Sequence, residues 1–98
     1  MITIWCTGQG DRLEFEAKIR EGKSETVHHV TMSKETCERL AGGKHTPEAL
    51  LDAALRFLLD REPKEAILGR FDVTVILRYF PEFERELPRY LSSTARAR

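Results

Sequence analysis

Three histidines, two cysteines and a large set of carboxylates are the side chains here that are able to bind a metal, attack a carbonyl or move a proton. His28 and His29 are neighbours in a stretch that reads as a strand, so their rings point to opposite faces and do not grip one ion together. No C-x-x-C or H-x-x-x-H spacing links them to His45, Cys6 or Cys37, and local spacing of that kind is what marks a metal site in sequence. Cys37 with His28 or His45 would make a thiol–imidazole pair only by a long-range coincidence. Beside Leu40 and Ala41 on one helix face, Cys37 reads instead as a buried, inert thiol. Gly8-Gln9-Gly10 and Gly42-Gly43 lack the Lys-Ser/Thr ending of a phosphate loop and read as turns. Glu35 and Glu38 sit with Lys34 and Arg39, and Glu82, Glu84 and Glu86 with Arg85, as solvated helix faces rather than acids in an apolar pocket. The expectation is a protein without catalytic residues, cofactor or metal.

The elements that must position these groups fall into two blocks. From Arg12 to Arg20 the chain alternates, with Leu13, Phe15, Ala17 and Ile19 on one face and Glu14, Glu16, Lys18 and Arg20 on the other. Period two over that length is a half-buried strand. A Gly22-containing turn leads to a second strand, Thr26 to Met32, and Ile2 to Cys6 is suited to a third. Ser33 then caps a short helix stopped by Gly42-Gly43, and Thr46-Pro47-Glu48 opens a longer one running to about Arg61. The apolar face of that helix is broad enough to need covering on two sides, which makes it the central core helix. Lys64 to Leu68 gives a short turn of helix. Asp72 caps Val73 to Tyr79, a segment that also suits a strand, and Pro81 starts a last helix that Pro88 closes. The reading is α+β: an N-terminal antiparallel β-hairpin or three-stranded sheet packed on three to five helices. Residues 1–91 form one domain and 92–98 a disordered tail.

The 98 residues carry 16 basic and 16 acidic side chains, so the net charge is zero and nothing draws the chain in bulk to nucleic acid or anionic lipid. Two cysteines are too few for a secreted disulfide scaffold of this length, the opening segment has no basic leader, and no run of about 18 apolar residues occurs. A cytoplasmic protein with no membrane span is expected.

Two resemblances attach to the pattern. His29-Val30-Thr31-Met32-Ser33-Lys34-Glu35, then Arg39-Leu40, then Thr46-Pro47-Glu48-Ala49-Leu50 resembles the ribbon-helix-helix DNA-binding family. That resemblance implies a strand shared between two subunits, with His29 and Thr31 facing a groove and the amides of 46–48 on a phosphate. The strand itself has no Lys or Arg, and Thr26 to Glu62 holds five basic against six acidic side chains, which leaves the phosphate term unsupplied. A longer resemblance covers Val30 to Leu87. Val30-Thr31-Met32-Ser33, Phe57-Leu58-Leu59-Asp60-Arg61-Glu62-Pro63, Ile67-Leu68 and Tyr79-Phe80-Pro81-Glu82-Phe83-Glu84 are similar to a family of small bacterial proteins. Its pattern is V-T-V-S, F-x-F-L-L-x-R-E-P, I-L-x-x-F and Y-F-P-E-Y-E, and it implies a bacterial cytosolic protein with no reaction or cofactor attached.

The aromatics Phe71, Tyr79, Phe80, Phe83 and Tyr90 around Pro81 and Pro88 are the remaining feature. They read either as a satellite core holding the last helices on the long one, or as a surface for a protein partner, since Tyr, Phe and Arg favour interface centres. Phe80 is expected inside, with Tyr79 or Phe83 the more exposed ring. The candidate partner-binding residues are Tyr79, Phe83, Arg85 and Tyr90. The expected function is a non-enzymatic protein-interaction module, with an unidentified protein or a second copy as partner, and a ribbon-helix-helix-like regulator is the alternative.

Overall fold

Alternation between Arg12 and Glu21 produces strand β2 (Arg12–Glu21), whose Leu13, Phe15, Ala17 and Ile19 are all buried on one side while Glu14 on the other is exposed. The computed structural model describes residues 1–96, with side chains described as far as Ser92. Strands β1 (Ile2–Gln9) and β3 (Ser24–Ser33) lie antiparallel on either side of β2, pairing Ile4 with Ala17 and Val30 with Phe15. Gly22, at φ 63°, supplies the left-handed residue of the turn between β2 and β3. A bulge between Cys6 and Gly8 ends the regular part of β1.

A fourth strand, β4 (Arg70–Asp72), joins parallel to β3, with Val30 opposite Phe71. The sheet is therefore mixed, in the order β1-β2-β3-β4, and the fold is α+β. The sequence reading has an antiparallel hairpin or three-stranded sheet but not this strand, because three residues joined to a distant strand leave no alternation to read.

The crossover from β3 to β4 contains α1 (Lys34–Ala41), α2 (Pro47–Leu59) and a 3₁₀ turn (Lys64–Ala66). Ser33 caps α1 by accepting the Thr36 amide at 3.0 Å, and Gly42 ends it at φ 65°, a conformation a side chain would strain. Thr46 caps α2 by accepting the Ala49 amide at 3.0 Å, with Pro47 in the first turn. Along α2, Leu50, Leu51, Ala54, Leu55, Phe57 and Leu58 are all buried, which confirms its place at the centre.

Two further helices follow, α3 (Val73–Tyr79) and α4 (Phe83–Arg96). Pro88 does not close α4 but lies within it. A proline there forfeits one N–H bond to the carbonyl four residues back. Phe83, Leu87 and Leu91 recur at four-residue spacing and are all buried, so continuing the helix past Pro88 keeps Leu91 in the core and outweighs the lost bond. The tail expected over 92–98 falls largely outside the described side chains, and residues 97–98 outside the described chain, although the helix backbone runs to Arg96.

Polar ties fix the loops to the sheet. The buried His28 ring bridges the Leu68 carbonyl (Nδ1, 2.8 Å) and the Thr26 hydroxyl (Nε2, 2.8 Å). A carbonyl only accepts, so Nδ1 carries a proton and donates. His28 thus anchors the segment leading into β4. The covered Lys64 ammonium donates to Glu65 at 2.7 Å, and Glu65 in turn accepts from Ser24 at 3.2 Å, joining the 3₁₀ turn to the start of β3.

Asp72 closes the other end of β4. It accepts from the Thr31 hydroxyl (2.6 Å), the Thr74 hydroxyl (2.7 Å) and amide (3.1 Å), and Arg12 (2.7 Å), capping α3 and tying β2, β3 and α3 together. Burial opposes its ionisation, but the donors from Thr31, Thr74 and Arg12 together outweigh burial and hold the carboxyl below its usual range. A depressed folded-state pKa contributes stability that is complete above the unfolded value of about 3.9 and is lost as pH falls through the folded value. Asp72→Asn, which retains a capping oxygen, is expected to cost about 1 kcal/mol at pH 7, the exposed Arg12 adding little. Urea melts from pH 7 to pH 2 should show that difference shrinking below about pH 4; a difference independent of pH would contradict the charged role.

Candidate functional site

The four residues singled out in the sequence do not form one surface. Phe83 is 0% exposed, packed edge-on against Phe57 at 5.0 Å between ring centres, so it cannot meet a partner. This corrects the sequence expectation. A helix docked on α2 buries one stripe, and Phe83 lies on that stripe with Leu87 and Leu91. Tyr90 is half-buried and already engaged: its hydroxyl donates to Asp60, its ring meets Phe57 edge-on at 5.8 Å, and Arg56 lies over it while donating to its carbonyl. Its contacts are those of a strut between α2 and α4. Arg85 points outward, its side chain 77% exposed. Tyr79 is 67% exposed at the end of α3. Phe80 is half-buried, with its ring edge-on to Phe57 at 5.8 Å, so it belongs to the core margin rather than its centre.

Tyr79 and Phe80 form one wall of an open groove of about 370 Å³. Leu58 of α2, Ile67 and Leu68 from the segment before β4, and Val75 and Ile76 of α3 complete an apolar lining. Leu68 is 50% exposed at its rim. Glu62 is half-buried in the same wall and makes no ion pair among the described residues. Sequence reasoning misses Leu68, yet a signal was present: Ile67 and Leu68 are adjacent in a segment of barely one turn, and a single turn cannot bury both. Ile67 takes the core position.

The other chemistry-bearing residues are dispersed. His28 faces the helices and His29 the opposite side of the sheet, as adjacent strand residues must. No three His, Cys, Asp or Glu side chains converge as a metal site requires among the described residues. No described helix is long and apolar enough to cross a membrane. Cys37 is buried on α1, and burial, followed by the charges of Glu38 and Glu48, pushes its thiol pKa up. Its thiolate is disfavoured twice over, by cover and by charge. Native Cys37 is therefore expected to alkylate at least about tenfold more slowly than in denaturant at pH 8, read by mass spectrometry in a Cys6→Ser background. Rapid labelling of folded protein would contradict this placement.

β3 is hydrogen-bonded to β2 on one side and to β4 on the other. The ribbon implied by the ribbon-helix-helix resemblance needs an open edge at His29–Thr31, and β4 occupies that stretch. His29 and Thr31 do face away from the helices, but Thr31 is committed to Asp72. Comparison of the chain with protein-family models, with curated proteins and with solved structures finds no match.

Proposed function

We propose that this protein is a non-catalytic interaction module whose groove between α2, α3 and the segment before β4 receives an apolar side chain from a protein partner. The observation that supports this reading is the pairing of an apolar groove, rimmed by the exposed Leu68 and Tyr79, with the carboxylate of Glu62, which has no ion-pair partner among the described residues. An aliphatic or aromatic side chain has area to bury there, and a Lys or Arg beside it meets Glu62. Partner segments of that composition fit the groove better than acidic ones, since a buried acid facing Glu62 would be repelled. Tyr79 is the aromatic anchor available for such a contact.

Selection of a random peptide library on the immobilised protein tests the reading. Enriched peptides are expected to carry an apolar residue next to a basic one, and Leu68→Glu should weaken them at least about tenfold, equivalent to about 1.4 kcal/mol. Glu62→Gln should lower the preference for the basic residue while keeping the apolar one. Leu68 is half-exposed, so its substitution leaves the core intact. Peptides that bind Leu68→Glu as tightly as the parent protein would sink the proposal.

A further inference from the structure

The two edges of the sheet are finished differently. β4 is three residues long, carries Arg70 and Asp72, and runs straight into α3. β1 runs from Ile2 to Gln9 without a single Lys, Arg, Asp, Glu or Pro. Exposed strand edges are ordinarily blunted by charge, proline, shortness or a bulge, and over Ile2–Cys6, before its bulge, β1 has none of these. Its helix-facing Ile2, Ile4 and Cys6 are only half-buried, whereas the matching residues of β2 are fully covered, so the cover of the core thins at β1. On the opposite face Trp5 is 39% exposed.

The backbone geometry specifies which groups the edge offers. The Met1 amine donates to the Arg20 carbonyl at 2.7 Å, and the Arg20 amide donates back to the Met1 carbonyl at 2.8 Å. That exchange marks Met1 and Arg20 as a hydrogen-bonded pair. Such pairs alternate along an antiparallel ladder, so Thr3 with Lys18 and Trp5 with Glu16 bond inward to β2. Ile2, Ile4 and Cys6 then turn their N–H and C=O groups to the open side. The residues with unused backbone groups are the same ones with half-covered apolar side chains.

We propose that β1 pairs antiparallel with β1 of a second copy of this chain, about a two-fold axis at Ile4, to give one continuous eight-stranded sheet. Ile4 faces Ile4 of the copy and Ile2 faces Cys6, each pair exchanging two N–H···O bonds. The bulge between Cys6 and Gly8 breaks the ladder that an axis at Cys6 would need, which leaves Ile4 as the centre of the regular segment. No side chain from Ile2 to Gln9 is charged and the chain has zero net charge, so side chains of like charge do not oppose self-pairing. On the solvent face this register sets Trp5 directly against Thr3 of the copy, in the close non-hydrogen-bonded pairing.

Thr3 and Trp5 lie on the exposed face, so their exchange tests the pairing without touching the core. Light scattering after size exclusion at several concentrations is expected to show the parent protein as a concentration-dependent dimer. The Thr3→Lys/Trp5→Lys double variant opposes like charges across the axis and should dissociate at least about tenfold more readily, with unchanged circular dichroism. Thr3→Lys/Trp5→Glu opposes unlike charges and should restore the dimer. Separately, Ile4→Cys in a Cys6→Ser background places two thiols at a Cα separation of about 5.5 Å, within disulfide reach, and oxidised glutathione should link the copies. The parent Cys6 residues, about 14 Å apart in this register, should not link. A parent protein that is monomeric at every concentration, a dimer indifferent to the paired lysines, or one linked through Cys6 would overturn the proposal.

Discussion

Phe57→Ala is expected to remove about 3–5 kcal/mol of folding stability, the range for deleting a fully buried aromatic ring. Phe57 is 0% exposed on α2 and is the ring on which the C-terminal half assembles. Phe80, Phe83 and Tyr90 each meet it edge-on, at 5.8, 5.0 and 5.8 Å between centroids, and the Arg61 guanidinium lies 3.7 Å over its ring centre. Edge-on ring pairs and a stacked cation each add to simple area burial, so the loss falls at the upper end of that range. Arg61 is held in place from both sides, donating to the Phe57 carbonyl and to Glu82. A domain of this size has about 5–15 kcal/mol in total. Thermal melts should therefore show a fall of at least about 12 °C or no cooperative transition at all. A Phe57→Ala protein melting near the parent would mean that the seam between α2 and α4 contributes little.

Alanine at Phe83, Phe80 and Tyr79 is expected to produce a graded series. Phe83 is fully buried, and its loss should cost about 3–5 kcal/mol. Phe80, half-buried at the groove, should cost about 1–3 kcal/mol, in proportion to the area it covers. Tyr79, mostly exposed, should stay within about 0.5 kcal/mol of the parent. Urea unfolding of the three variants under one set of conditions decides the order. Were Tyr79→Ala as damaging as Phe83→Ala, the ring would be structural and the groove would lose its anchor.

The series also marks where the sequence stops being readable. Strand β2 is legible because four apolar side chains alternate with charges, and the helix starts at Ser33, Thr46 and Asp72 are legible because a cap is a local event. The inward face of α4 is not. Pro88 signals an end, and only the docking of Leu91 on the core overrides it. Phe83 and Tyr79 are equally aromatic and four residues apart. Their opposite fates depend on the break between α3 and α4 at Phe80-Pro81-Glu82, which puts the two residues on different helices. β4 is invisible for a related reason: its partner is 41 residues away, and its own three residues include two charges. Of the candidate site, Tyr79 was readable from residue type alone, whereas Leu68 and Glu62 join it only through the crossover that brings α2 and the segment before β4 together.

That crossover also sets an order of events during synthesis. β1, β2 and β3 are consecutive and joined by short turns, so they can pair as soon as they have emerged. The far side of β3 is capped only by Arg70–Asp72, with 34–69 still to be made after Ser33. At about 5–20 residues per second, roughly 2–7 s separate the completion of β3 from the arrival of its last neighbour. For that interval the nascent sheet has two open sides, and the helices that cover it are themselves still being made. A chain cut short before residue 70 keeps both sides open permanently, so truncation fragments, more than the finished molecule, are the species this topology commits to aggregation.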